Sequence, residues 1–109
     1  MKESEFLDVV RELELALFSR SFNNWAKKQP EEQKSKIREL RTEVSTYRSE
    51  LETRRLKVMA DMLDRLAPGL RVGMDEIQSE IDKMEEFISV INLVGRVLGL
   101  VSRIVTLAA

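Results

Sequence analysis

The sequence predicts an all-α protein: a three-helix bundle with a long antiparallel helical hairpin, its helices over about residues 4–28, 30–66 and 74–107, and the hairpin tip projecting as a two-helix arm. Three observations predict it. Charged residues make up 34% and hydrophobic residues 43%, with four Gly and two Pro, the balance of a helical chain. Apolar residues recur at steps of three and four over nearly the whole length. The last stretch, from Glu86 to Ala108, carries far more apolar area than a surface helix needs, so it must be buried against something.

In the first segment Phe6, Val10, Leu13 and Leu17 fall at helical spacing, and Phe18, Phe22 and Trp25 continue a second row. Ser4 is placed as its N-cap, and Lys27 and Lys28 suit the negative end of the helix dipole. Pro30 stops this helix and suits the first position of the next, with Glu31 and Glu32 directly behind it.

From Pro30 to Leu66 the pattern is unbroken: Ile37, Leu40, Val44, Tyr47 and Leu51 step by three and four, and Val58 and Met62, with Leu56, Met59, Leu63 and Leu66, continue it. At 1.5 Å per residue such a helix would be roughly 55 Å long. Glu32/Lys36, Glu50/Arg54 and Asp61/Arg65 place an acid four residues before a base, which stabilises an exposed helix face. The stretch from Ala67 through Pro68 and Gly69 to Gly73 reads as the hairpin turn, and Asp75 followed by Gln78 as a capping box for the third helix. That helix has one narrow polar or small stripe, Ser89, Asn92, Arg96, Gly99, Arg103 and Thr106, and is apolar elsewhere.

A helix with one neighbour needs one apolar stripe, and a helix with two needs a wide one. Folding the hairpin about residues 70 and 71 therefore gives a single domain, 1–109, with a core of 4–54 and 87–109 and an arm of 55–86. The arm holds Met59, Met62, Met74 and Met84, and methionine adapts both to a helix seam and to varied partners.

Chemistry is largely excluded. The chain has no His and no Cys, so the usual general base, the thiolate nucleophile and the nitrogen and sulfur metal ligands are missing. No glycine-rich phosphate loop is present. The expectation is a non-enzyme that needs no cofactor. The net charge of −1 gives no general attraction to nucleic acid, and Lys34, Arg41, Arg48 and Arg55, at seven-residue intervals, read as the flank of a seam facing Asp8, Glu12 and Glu14. Gly95 and Gly99 read as a site of close packing for Trp25 or Tyr47. As a lone membrane span, residues 87–108 gain roughly 4 to 8 kcal/mol from apolar side chains and lose about 5 to 7 to two arginines, so they do not insert.

The function expected is protein–protein contact, as an adaptor, inhibitor or immunity protein, or structural subunit that self-associates in the cytoplasm. The interface expected is Met59, Met62, Leu63, Leu66, Leu70, Met74 and Ile77 on the arm, with Val97, Leu100, Val101 and Ile104 as a second patch. The alternative is a membrane-active or secretion-related protein that lays residues 87–109 on lipid.

Overall fold

The computed structural model describes residues 2–53, 56–58, 60–83 and 87–107. Among them the order is α1 (Glu3–Leu17), α2 (Arg20–Lys27), α3 (Glu31–Glu52), β1 (Leu56–Val58), α4 (Ala60–Lys83), α5 (Phe87–Ile104) and β2 (Val105–Leu107). The class is all-α, as expected, but with five helices instead of three. The molecule measures 40 × 25 × 19 Å, so the expected 55 Å helix is absent.

The first predicted helix is two helices. Ser19 takes an extended backbone, and its hydroxyl accepts a hydrogen bond from the Phe22 amide at 3.2 Å, capping α2. The Ser19 hydroxyl also donates to the Ala16 carbonyl at 2.9 Å, so one side chain serves both helix ends. Ser4 lies inside α1, whose N-cap is Lys2. Pro30 is itself the N-cap of α3, and Glu31 and Glu32 occupy the first turn as expected.

The largest difference concerns the hairpin. The helix that begins at Glu31 ends at Glu52, and α4 runs through Pro68, Gly69 and Gly73 without interruption. An interior proline costs about 3 kcal/mol through its lost hydrogen bond and its ring. Side-chain burial offsets that cost: Leu63, Ala67, Leu70, Met74 and Ile77, at steps of four and three, are all buried on one face of α4. The antiparallel pair is α4 with α5, and Gly73 lies opposite Val97 and Gly69 opposite Leu100, a register centred at about residue 85 instead of 70. Asp75 and Gln78 accordingly sit within a helix and cap nothing.

No arm projects. α4 packs against α1 and α2 as well as α5, and Glu5 of α1 accepts from Arg71 of α4 at 3.1 Å. A single core runs from Phe6, Val10 and Leu13 of α1 through Phe22 of α2 and Val44 of α3 to Leu70 of α4 and Val94 of α5. β1 and β2 pair antiparallel, Leu56 with Leu107 and Val58 with Val105, an element the sequence reading did not include.

The expected third helix over 74–107 is instead the end of α4, then α5, then β2, which contains Thr106; within α5 the narrow polar stripe is found as expected. Ser89, Asn92, Arg96, Gly99 and Arg103 are exposed, and Val90, Ile91, Leu93, Val94, Val97, Leu98, Val101 and Ile104 are buried. This breadth follows from α5 packing on both α4 and α3. Gly95 and Gly99 face open space, so they are not the seat for Trp25 or Tyr47. Among the described residues, no helix is long and apolar enough to cross a membrane.

Candidate functional site

The side chains named from the sequence as an interface lie mainly inside the chain. Leu63, Leu70, Met74, Ile77, Val97, Val101 and Ile104 are buried in the common core, and Met62, Leu66 and Leu100 are half-buried against it. Met59 lies outside the described residues. The structure thus brings most of these residues together, but with one another and within a single copy.

Concave surface is found among the described residues along α3 where it passes the bend between α1 and α2. Two open grooves adjoin there and share Arg38 and Arg41. The larger, about 690 Å³, is lined by Phe18, Arg48, Glu50, Thr42, Ser45, Thr46 and Ser49 as well as the two shared arginines. The smaller, about 290 Å³, adds Asn23, Ala26, Lys27, Lys34 and Ile37.

The bend exists because α1 stops at Leu17, and Arg41 holds it. Its Nε donates to the Leu17 carbonyl at 2.7 Å, one of the groups a helix end leaves unpaired, and its Nη2 donates to Asn23 Oδ1 at 2.5 Å. The guanidinium carbon lies 5.0 Å from the Phe18 ring centre and 5.3 Å from that of Phe22, within cation–π range of both. Burial lowers the Arg41 pKa from its ordinary value, and arginine stays protonated in proteins regardless. Arg41→Ala should therefore cost about 1–2 kcal/mol in urea unfolding, since it strands a carbonyl and an amide. Arg41→Lys should not restore the loss, because an ammonium cannot fork between two acceptors and stack on two rings.

Farther along α3 the cations turn structural. Arg48 grips Glu14 of α1 through Nε at 3.0 Å and Nη2 at 3.2 Å and reaches Glu52 through Nη1 at 3.3 Å. Arg11 closes the series, with Nε and Nη2 both 3.1 Å from Glu52 Oε1 and Nη1 3.5 Å from Asp8. This is the seam flank expected for Arg48. Arg41, by contrast, meets a carbonyl and an amide instead of a carboxylate, and Arg55 lies outside the described residues.

At Glu14 burial acts to raise the pKa, but hydrogen bonds from Arg48 and Ser45 and the Arg48 charge outweigh it, leaving the carboxyl below its ordinary 4.5. A carboxyl lowered in the folded state stabilises that state above its unfolded pKa and ceases to do so as pH falls through the folded value. The urea midpoint should therefore fall between about pH 5 and pH 3, and the Glu14→Gln variant should show a shallower fall over the same window.

Lys27, Lys34 and Arg38 were not assembled as a site from the sequence. The signal was present in part: Lys34, Arg38 and Arg41 follow one another by four and three, so they share a face of α3. Lys27 joins them only because the short turn at residues 28–30 folds α2 back along α3. Arg38 donates to Glu31 at 3.2 Å, both side chains being well exposed. Among the described residues no acidic one lines the smaller groove, whose floor is Ala26 and Ile37. The groups present can hold an anion and seat an apolar side chain.

Comparison with protein-family models, with curated proteins and with solved structures finds no match.

Proposed function

We propose that the chain is a non-enzymatic protein–protein interaction module, and that its contact surface is the grooved side of α3 with the rim formed by the end of α1. The observation that carries this is the placing of exposed apolar side chains. Among the residues whose burial is described, nearly all large apolar side chains are consumed in the core, yet Leu15 of α1 is 71% exposed and Phe18, which caps that helix, is 48% exposed, with Phe18 lining the larger groove. Aromatic and arginine side chains grouped at a concave surface are the composition of interface hot spots. The absence of His and Cys supports binding over catalysis. Self-association through Leu70, Met74 or Val97 would require opening the core, so these residues do not serve a second copy as a contact surface.

The experiment is photo-crosslinking in the source cells with a photoreactive phenylalanine analogue at position 18, and at Val72 as the control. Val72 is also apolar and is 57% exposed, on α4. A discrete protein adduct from position 18 and none from position 72 is expected. Absence of a protein adduct at position 18, or adducts with lipid alone, would overturn the reading.

A further inference from the structure

The smaller groove specifies its partner's chemistry further, on the premise that the chain is an interaction module. We propose that it receives a short acidic segment of a partner protein, with an apolar side chain of that segment seated on Ala26 and Ile37. Lys27, Lys34, Arg38 and Arg41 surround that floor. Among the described residues only Arg38 of these four has a carboxylate within ion-pair distance, the exposed Glu31. Arg41 is held rigid by Leu17 and Asn23, so part of the cationic wall is pre-organised and loses little freedom on binding.

The extent of the positive patch argues for a peptide over a nucleic acid. Lys34 to Arg41 covers two turns, roughly 10 Å of helix, enough for a few carboxylates. Immediately beside it Glu39 and Glu43 share a surface with Arg38, and Glu50 lines the far end of the larger groove. A long polyanion tracking the helix would meet those carboxylates, and the chain's net charge of −1 offers no compensating field. A short acidic segment stops before reaching them.

The test is an NMR titration of the isotopically labelled full chain with three probes. These are a twelve-residue peptide of glutamate, aspartate and leucine, the same peptide with glutamine and asparagine for the acids, and a twelve-residue thymidine oligonucleotide. The acidic peptide should saturate amide shifts confined to residues 23–41, and its neutral counterpart should bind at least about tenfold more weakly. Lys34→Glu with Arg38→Glu should lose the acidic peptide by at least about tenfold at an unchanged melting temperature. Should that double reversal perturb folding, Lys34→Gln with Arg38→Gln makes the same comparison with a milder change. No saturation by the acidic peptide, equal affinity for the neutral one, or preference for the oligonucleotide would overturn the proposal. A failed peptide titration beside a protein adduct at position 18 removes only the acidic partner. A missing adduct removes the interaction reading itself.

Discussion

Met74→Glu should abolish the cooperative thermal transition of the chain at neutral pH, or lower it by about 15 °C or more. Met74 is 5% exposed on α4, between Leu70 and Ile77, and the described core contains no buried polar or charged residue. A carboxylate placed there has no partner, and an unpaired buried charge costs about 3–5 kcal/mol. A chain of this length holds only about 5–15 kcal/mol in all. Met62→Glu is the comparison: Met62 is half-buried, its sulfur accepts from Arg65 Nη2 at 2.8 Å, and a glutamate there has an arginine beside it. Its cost should stay below about 1 kcal/mol. Read from the sequence alone, both methionines are alike, fillers of a helix seam or members of an interface. Melting curves by circular dichroism separate the two residues, and a Met74→Glu variant that melts like the parent would remove Met74 from the core.

Gly73→Leu should cost about 3 kcal/mol in urea unfolding, because α4 and α5 touch where Gly73 has no side chain. A Cβ at Gly73 would lie 2.5 Å from Val97 Cγ2, and Val97 is fully buried and β-branched, so it cannot swing aside. Even Gly73→Ala should destabilise, its overpacking exceeding the roughly 1 kcal/mol that alanine contributes to a helix interior. Adding Val97→Ala should recover part of the loss by making room, and the cycle should show a favourable coupling of about 0.5–3 kcal/mol. Gly95→Ala and Gly99→Ala make the opposite case. Nothing lies within 4 Å of either added methyl, so each should stabilise by about 1 kcal/mol. If neither Gly73→Leu nor Gly73→Ala lowered the urea midpoint, the α4–α5 crossing at Gly73 would be refuted.

Those glycines also show where the sequence was legible and where it was not. The width of the apolar face on α5 could be read directly, because burial on two sides leaves a stripe that periodicity counts. The turn could not. Pro68, Gly69 and Gly73 carry the residue types of a break, yet both glycines lie within α4 on the side of α5, and Gly73 is held to its small volume by Val97. What overrides them is the series Leu63, Ala67, Leu70, Met74, Ile77, whose heptad steps pass through the proline. The actual end of α3, at Glu52 and Thr53, contains neither Gly nor Pro and gave no local warning. At the groove the sequence showed Lys34 and Arg41 as members of a line but could not show Lys27 across the turn. Nor could it separate a structural arginine, Arg48 on Glu14, from one that holds a bend, because that depends on where α1 stops.

The pairing of β1 with β2 has a kinetic consequence. It joins residues about fifty positions apart, and for a disordered chain closing such a loop costs roughly 3.5 kcal/mol in entropy, too much for three residue pairs to offset. The zipping of α4 along α5 brings the two ends together first and removes most of that cost. The ribbon is therefore a late latch, and its lifetime reports whether the hairpin beneath it is shut. Amide hydrogen exchange at residues 105–107 should slow only as that at Val94 and Val101 does, and any event that loosens the α4–α5 seam should be seen first at the ribbon.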